Sequence, residues 1–211
     1  MSEYTLVEGL FLYPTPVGTY YAVASPEQDK SRKFIKQLLQ QKETPALNSE
    51  TLMELMNEES ESKALELLHH CYSLGWVQGM ETSIESPKGA LEEILPDLLK
   101  NVSETGKVLL ADDQGFYLAC SGFAHEVAEE LSALSAEIAT VHKRRSGLLV
   151  NNLGIPSHAW AIVDAFGNSQ TGFWPVFIGD NRFVIAISGI PHFNQSDFVK
   201  LIWALSIRYA K

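Results

Sequence analysis

The sequence predicts a mixed α/β fold in its C-terminal part, and two observations carry this prediction. Two apolar runs of strand length, 108–111 and 117–122, flank residues 112–115, whose sequence Asp-Asp-Gln-Gly is typical of a hairpin turn. From Ala124 to Val141 the apolar residues instead recur at three- and four-residue steps, which indicates a helix. A hairpin that leads directly into a long amphipathic helix needs a larger sheet to pack on, and the C-terminal third supplies further strands.

The apolar side of this central helix is predicted to be its buried face. Its members share helical spacing and are Ala124, Val127, Ala128, Leu131, Leu134, Ile138 and Val141. We therefore expect the larger apolar side chains of the helix to lie against the sheet.

Composition limits the classes of function. The 211 residues suffice for one large domain or two small ones, and 45% apolar with 20% charged residues is ordinary for a globular protein. The formal net charge of −10 gives no support to a nucleic-acid partner. Residues 1–86 hold 6 Lys/Arg against 13 Asp/Glu, so the acidic excess is concentrated there.

Two further features concern the cellular compartment. Cys71 and Cys120 each lie alone in an apolar run, as expected of reduced thiols in a cytosolic protein. No basic-then-apolar leader opens the sequence, and no apolar run reaches the ~18 residues that a membrane span needs. We therefore expect a cytoplasmic protein.

The first 86 residues are predicted to form a hairpin, three short helices and a strand. The hairpin covers 9–24, with a turn at Pro14, Pro16 and Gly18, and the sequence from Ser25 to Glu27 has the form of a helix start.

The second and third helices have their own predicted ends. The second is expected to be capped by Asn48 or Ser49 and the third by Ser60 or Ser62. Gly75 ends the third, before an extended segment that runs from Trp76 towards Ile84.

This order of elements is the layout of a winged helix, which raises the alternative of a DNA-binding transcription regulator. The third helix, however, carries Glu58, Glu59, Glu61 and Glu66 near its start and only Lys63 as a basic residue. Phosphates would repel such a recognition helix, so an interaction with protein is the better interpretation of this acidic domain.

A domain boundary is predicted at residues 81–88, because Ser83, Ser86 and Pro87 interrupt the hydrophobic pattern. The division gives an acidic winged-helix-like domain, 1–86, and a second domain, 87–211. The second domain begins with a helix over 91–102 that contains Pro96, and continues with the hairpin and the central helix. Its later predicted elements are strands at 160–165, 172–178 and 183–187 and a last helix at 195–209, capped by Asn194 or Ser196.

Residues 88–211 resemble the roadblock / dynein light chain family. The resemblance is carried by the helix Leu91 to Leu98, the strand 108–111, the D-x-x-G turn at 112–115, the strand 117–122 and the Glu/Ala-rich helix from His125. It implies a five-stranded antiparallel sheet, with the central helix on one face and the terminal helices on the other.

The resemblance also implies a function. Roadblock-like domains usually dimerise by pairing their central helices and joining edge strands. They bind small Ras-like GTPases or serve as scaffold dimers in motility, polarity or transport machinery, and some bacterial members stimulate GTP hydrolysis. By resemblance we expect a non-enzymatic, homodimeric adaptor. The candidate protein-interface residues are Ala128, Glu129, Ser132, Ser135, Ala136, Glu137, Ala139, Lys143, Arg144 and Arg145.

Structural explanations compete with two parts of this site. The Ala/Ser content of the central helix would also suit plain helix propensity on a solvated face. The basic cluster 143–145 would also complement the dipole at a helix C-terminus. The aromatic residues Trp160, Phe173, Trp174 and Phe177 are too many for one face of one sheet, so some are candidates for an exposed interface, with core packing as the default interpretation.

No motif indicates a reaction centre, and we expect neither a cofactor nor a metal. Adjacent helical residues point about 100° apart, so His69, His70 and Cys71 cannot converge on one ion. Phosphate-binding loops, nucleophile elbows and dinucleotide fingerprints do not occur. A small-molecule-sensing α/β domain of the PAS type stays open, and it requires a closed apolar pocket inside the second domain.

Overall fold

A computed structural model describes residues 4–7 and 9–210. Within these ranges the chain forms seven α-helices and seven strands. The helices are α1 Pro16–Val23, α2 Lys30–Leu38, α3 Ser49–Met56, α4 Glu61–Ser73, α5 Leu91–Asn101, α6 His125–Ser146 and α7 Ser196–Tyr209. The strands are β1 Phe11–Pro14, β2 Val77–Met80, β3 Val108–Ala111, β4 Tyr117–Ser121, β5 Trp160–Val163, β6 Ser169–Ile178 and β7 Asn181–Ser188.

The predicted mixed α/β fold is confirmed, with a five-stranded antiparallel sheet in the order β4-β3-β7-β6-β5. The turn between β3 and β4 is the one its composition indicated. The Asp112 carboxylate accepts the backbone N–H groups of Gln114 and Phe116 at 3.0 and 2.9 Å, and Gly115 has a φ of +91°. Asp112 therefore stabilises a turn.

The sheet has helices on both faces, as the resemblance implied. On β3, Val108 and Leu110 belong to the larger core with α5 and α7, whereas Leu109 and Ala111 belong to a smaller core that faces α6. This alternation follows from the two-residue period of a strand. The central helix thus lies on one face and the two terminal helices lie on the other.

The prediction of a hairpin at residues 9–24 is wrong. β1 pairs instead with the distant strand β2, with Phe11 opposite Met80, and the residues from Pro16 onwards form α1. Thr15 caps that helix, because its hydroxyl accepts the backbone N–H of Gly18 at 3.1 Å. A proline at the first helical position loses no hydrogen bond, so Pro16 starts a helix here and does not mark a turn.

The helix start predicted at Ser25 is also wrong. α2 begins at Lys30 and is capped by Asp29, whose carboxylate accepts the backbone N–H of Arg32 at 2.9 Å. The N-terminal part therefore contains four helices where three were expected, and the winged-helix interpretation is not confirmed. The cap at Asn48 and the left-handed Gly75 after α4 agree with the predictions.

The N-terminal helices share one buried core with α5, α7 and the sheet. Trp203 of α7 is 1% exposed, and its indole N–H donates to the backbone oxygen of Gln41 at 2.8 Å. Tyr20 of α1 stacks on Phe193, with ring centroids 5.5 Å apart. The division of the chain near residue 86 stays a prediction, but the apolar packing is continuous across it.

Two details of the second half differ from expectation. Residues 146–157 were predicted as a loose connection, but α6 runs on from Ser146 into a π-helical turn, Gly147–Asn152. Gln195 occupies the cap position of α7, where Asn194 or Ser196 was expected. Pro96 lies inside α5, which continues through it.

Replacing Trp203 by alanine tests the shared core. Trp203→Ala removes a buried indole and leaves the Gln41 carbonyl without its donor, so we expect a loss of about 3–5 kcal/mol in the free energy of unfolding. Urea denaturation followed by circular dichroism measures it. Phe166→Ala is the control, because that ring is 91% exposed and its loss should cost less than about 0.5 kcal/mol. An unchanged midpoint for Trp203→Ala would contradict a core that joins the two parts.

Candidate protein-interaction site

The face of α6 that lies against the sheet is made of small residues. Ala128, Ser132, Ser135 and Ala139 are buried there, together with His142 at the C-terminal end. The two serine hydroxyls donate to carbonyl oxygens of their own helix, those of Ala128 and Ser132, at 2.6 and 2.7 Å. Buried hydroxyl groups need hydrogen-bond partners, and these two find them within α6, so they require no acceptor from the sheet.

Small side chains allow the helix backbone to approach the sheet closely. The turn before β4 shows how closely, since a Cβ added to Gly115 would lie 3.3 Å from the Cα of Ala133. Ala111 and Ala186 complete the contact from the strands. The short residues of α6 thus serve packing within one chain.

Three of the larger apolar residues of α6 face outwards, which corrects the predicted orientation of the helix in part. Val127, Leu134 and Val141 are 43%, 39% and 37% exposed, and Leu131 and Ile138 are half-buried beside them. We call these five residues the α6 stripe. Their alternating steps of four and three are the spacing by which one helix packs along another. Leu131 and Ile138 still pack against the small core under the helix, whereas Val127, Leu134 and Val141 keep exposed surface that no described part of the chain covers.

The edge strand β5 adds a second exposed apolar surface. Ile162 and Val163 are 64% and 54% exposed, and Trp160 is also partly exposed. β5 pairs only with β6 among the described residues, so its outer edge presents free backbone N–H and C=O groups. Trp160 lies opposite Phe173, a residue of the small core under α6, so the two apolar surfaces share one face of the sheet.

An aromatic cluster fixes the end of α6 against the start of β5. The Trp160 indole N–H donates to His142 Nδ1 at 3.0 Å, and the His142 ring lies 4.7 Å from the His158 ring. Burial lowers the pKa of His142, and burial together with the neighbouring His142 lowers the pKa of His158. Both rings are therefore held in the neutral form near neutral pH.

The ten predicted interface residues separate into two groups. Ala128, Ser132, Ser135 and Ala139 face the chain's own sheet and are not accessible to a partner in this fold. The accessible ones are Glu129, Ala136, Glu137, Lys143, Arg144 and Arg145, with Ala136 half-buried. Sequence reasoning did not place the α6 stripe at the surface, although the same apolar residues had been identified.

The basic cluster 143–145 lies close to the end of α6, but the helix passes directly into the π-helical turn there. The carbonyl groups that a cation would cap are engaged in the following turn, which weakens the helix-dipole explanation of the cluster. At about 100° per residue, Arg145 shares the side of the α6 stripe, whereas Lys143 does not.

Other kinds of site find little support. Among residues 4–7 and 9–210, no group of three His, Cys, Asp or Glu side chains is placed to hold a metal ion. None of the helices within those ranges combines the length and the apolar character that crossing a membrane requires. The exposed side of α4 carries Glu61 and Glu66 beside Lys63, which disfavours contact with phosphates.

Comparison with known proteins yields structural matches alone. No protein-family model matches the chain, and no curated protein matches it. A roadblock/LC7 domain from Streptomyces avermitilis is 14% identical, with a TM-score of 0.33, over 53% of this chain and 87% of that one. MglB of Myxococcus xanthus is 16% identical (54% and 83% covered, TM-score 0.31), and the gliding protein MglB of Thermus thermophilus is 17% identical (59% and 91%, TM-score 0.34).

The histidine cluster predicts a loss of stability in acid. A histidine whose pKa is lower in the folded than in the unfolded chain binds protons preferentially when unfolded. Its effect is absent above the ordinary pKa of 6.5, and stability falls as the pH decreases below that value. We expect urea midpoints to drop between pH 7.5 and pH 5.5, and to drop less in a His142→Asn/His158→Asn variant.

The control is His192→Asn, which changes an exposed histidine. It should keep the pH dependence of the wild type. If the double variant lost stability in acid as steeply as the wild type, the cluster would not be responsible.

Proposed function

We propose that the protein is a homodimeric adaptor without catalytic activity, in which α6 and β5 of two copies meet and the pair binds a protein partner. The observation that carries the proposal is the exposed apolar surface that the α6 stripe and β5 present on one face of the sheet. Soluble chains rarely expose such a surface unless it contacts another molecule. Burying a Val or Leu side chain contributes about 1.5–3 kcal/mol, so two copies of the stripe supply a substantial driving force.

The space beside α6 suits a second helix. α6 packs over β4, β3 and β7, which leaves β6 and β5 largely uncovered on that face. Neighbouring strands lie about 4.8 Å apart and packed helices about 8–10 Å apart, so two uncovered strands accommodate one helix. A two-fold axis beside β5 would place the partner's α6 there and would join the two β5 edges into one sheet.

Charge favours an antiparallel arrangement of the two helices. The first turns of α6 carry Glu126, Glu129 and Glu130, and its last turn carries the basic cluster 143–145. Antiparallel pairing brings the Arg145 end of one helix near the acidic end of the other, and it also opposes the helix dipoles favourably. Leu134 is the middle residue of the stripe, so in this pairing it lies close to the two-fold axis.

The partner class that the resemblance implies is a small Ras-like GTPase. Glu129 and Glu137 are exposed and lie off the α6 stripe, so they stay accessible when two stripes pair. Rim charges of this kind mainly set association rate and specificity. They are the residues through which we expect α6 to contribute to recognition of the partner.

Introducing a charge into the stripe tests the dimer. Leu134→Glu places two carboxylates near the proposed axis, so we expect the wild type to sediment as a dimer and the variant to dissociate at least tenfold more readily. Analytical ultracentrifugation over a concentration series measures this.

Thr140→Glu is the matched control. Thr140 is exposed on the opposite side of the same helix, so the same new charge there should leave the dimer intact. A monomeric wild type, or a Leu134→Glu variant as dimeric as the control, would contradict the proposed interface.

A pull-down tests the partner class. Immobilised wild-type protein should retain a small Ras-like GTPase, and a Glu129→Lys/Glu137→Lys variant that is still dimeric should not, because its rim charges are reversed. Duplex DNA binding over a range of salt concentrations is measured in parallel. Recovery of no GTPase, with tight and salt-sensitive retention of DNA, would favour the DNA-binding regulator instead.

A further inference from the structure

One hydrogen bond joins the edge strand β5 to the end of α6. The indole N–H of Trp160 donates to Nδ1 of His142 at 3.0 Å. An indole nitrogen can only donate, so Nδ1 has to offer a lone pair, and the neutral ring then carries its proton on Nε2. A protonated imidazole has a hydrogen on both nitrogens and cannot accept this bond. The bond therefore exists only while His142 is neutral.

The surroundings of His142 oppose a positive charge on its ring. His142 is 7% exposed, and burial lowers its pKa. The cationic side chains of Lys143, on α6, and Arg182, on β7, line the same cavity as His142, and no Asp or Glu is among the described residues that line it. The ring of His158 lies 4.7 Å away. Burial and His142 lower the pKa of His158, whereas Glu27, which precedes α2, raises it.

Trp160 is also part of the surface on which a second copy would pack. It lies opposite Phe173 in the β5–β6 pair, so its side chain is on the face of the sheet that carries α6, and it is 38% exposed. In the proposed dimer the partner's α6 covers β6 and β5, and it would therefore lie over the Trp160 ring. The bond to His142 fixes the position of that ring beneath the partner helix.

We propose that the bond between Trp160 and His142 makes the pairing of two copies sensitive to pH, with the dimer favoured near neutral pH and the single chain favoured in acid. The inference rests on the proposed function, because it requires the dimer. It adds a regulation of the same interface that neither the stripe nor the edge strand supplies.

The reason is that the single chain tolerates protonation of His142 better than the dimer does. In the single chain the partly exposed indole can turn towards water, which accepts its N–H. In the dimer the partner helix holds the ring in place, so two hydrogen-bond donors face each other in a buried site and both stay unsatisfied. The single chain thus binds the proton more readily, and by linkage a fall in pH shifts the equilibrium towards it.

Analytical ultracentrifugation at pH 7.5 and pH 5.5 tests this inference, with circular dichroism at both pH values to confirm that the chains are folded. One linked proton per copy, with an ordinary histidine pKa of about 6.5, can weaken pairing by up to about tenfold per copy at pH 5.5. We therefore expect the dissociation constant of the wild-type dimer to rise at least tenfold.

His142→Asn is the informative variant. The side-chain oxygen of asparagine takes the place of Nδ1 and accepts from Trp160 at either pH, so we expect its dissociation constant to change by less than about threefold. His192→Asn is the matched control, because it changes an exposed histidine outside the cluster and should keep the pH dependence of the wild type.

The indole N–H resonance of Trp160 reports the hydrogen bond itself and keeps the test decisive if His142→Asn does not fold. It is identified by its absence in Trp160→Phe, and in the wild type it should move upfield between pH 7.5 and pH 5.5. Three results would each overturn the inference while leaving the dimer in place: equal wild-type dissociation constants at the two pH values, a His142→Asn dimer as pH-dependent as the wild type, or an indole resonance that does not respond to pH. A wild type that is monomeric at pH 7.5 would contradict the dimer and this inference together.

Discussion

The close approach of α6 to its own sheet is the constraint on which the other features depend. Alanine and serine on the helix meet alanine on β3 and β7, and the hydroxyl groups are satisfied within the helix. Because the small residues occupy the centre of the contact, Leu131 and Ile138 pack only at its margin, and Val127, Leu134 and Val141 lie on the outer side. The same close packing brings Gly115 against the helix, where a larger residue would have to displace backbone. The close packing of small residues therefore produces both a small core under α6 and an apolar surface on the outer side of the helix.

Local chemistry allowed much of the second half to be predicted from the sequence. The turn at 112–115, the strand–helix change of period and the order of elements depend on neighbouring residues, and each was confirmed. The orientation of α6 could not be predicted in this way, because its apolar arc is wider than the strip that the sheet covers. Which part of such an arc is buried depends on the width of the sheet beneath it, a long-range property. The prediction of a turn at Pro16 was wrong for a related reason, because proline occurs both in turns and at the first position of helices. The strand that pairs with β1 lies more than 60 residues away.

α6 contributes to two neighbouring features on the same side of the sheet. Its apolar stripe runs beside a cavity of about 300 Å³ that the C-terminal half of the helix forms with β6 and β7, and Ile138 belongs to both. His142 lies where these regions meet, because its ring contacts Trp160 of the edge strand and also lines the cavity. On the opposite face of the sheet, Trp203 and Tyr20 connect the N-terminal helices to the segment around α7.

The edge strand β5 has a consequence for colloidal behaviour. An uncovered apolar edge is a template for open-ended association, which natural proteins limit by short strands and bulges. β5 is four residues long, its register with β6 shifts at Ile162/Val163, and the Asp164–Asn168 turn follows at once. Pairing through this edge about a two-fold axis would occupy the edge in both copies, so no further copy could add to the sheet there. During synthesis, before a second copy has paired with it, the single chain would expose the edge and be prone to non-specific aggregation.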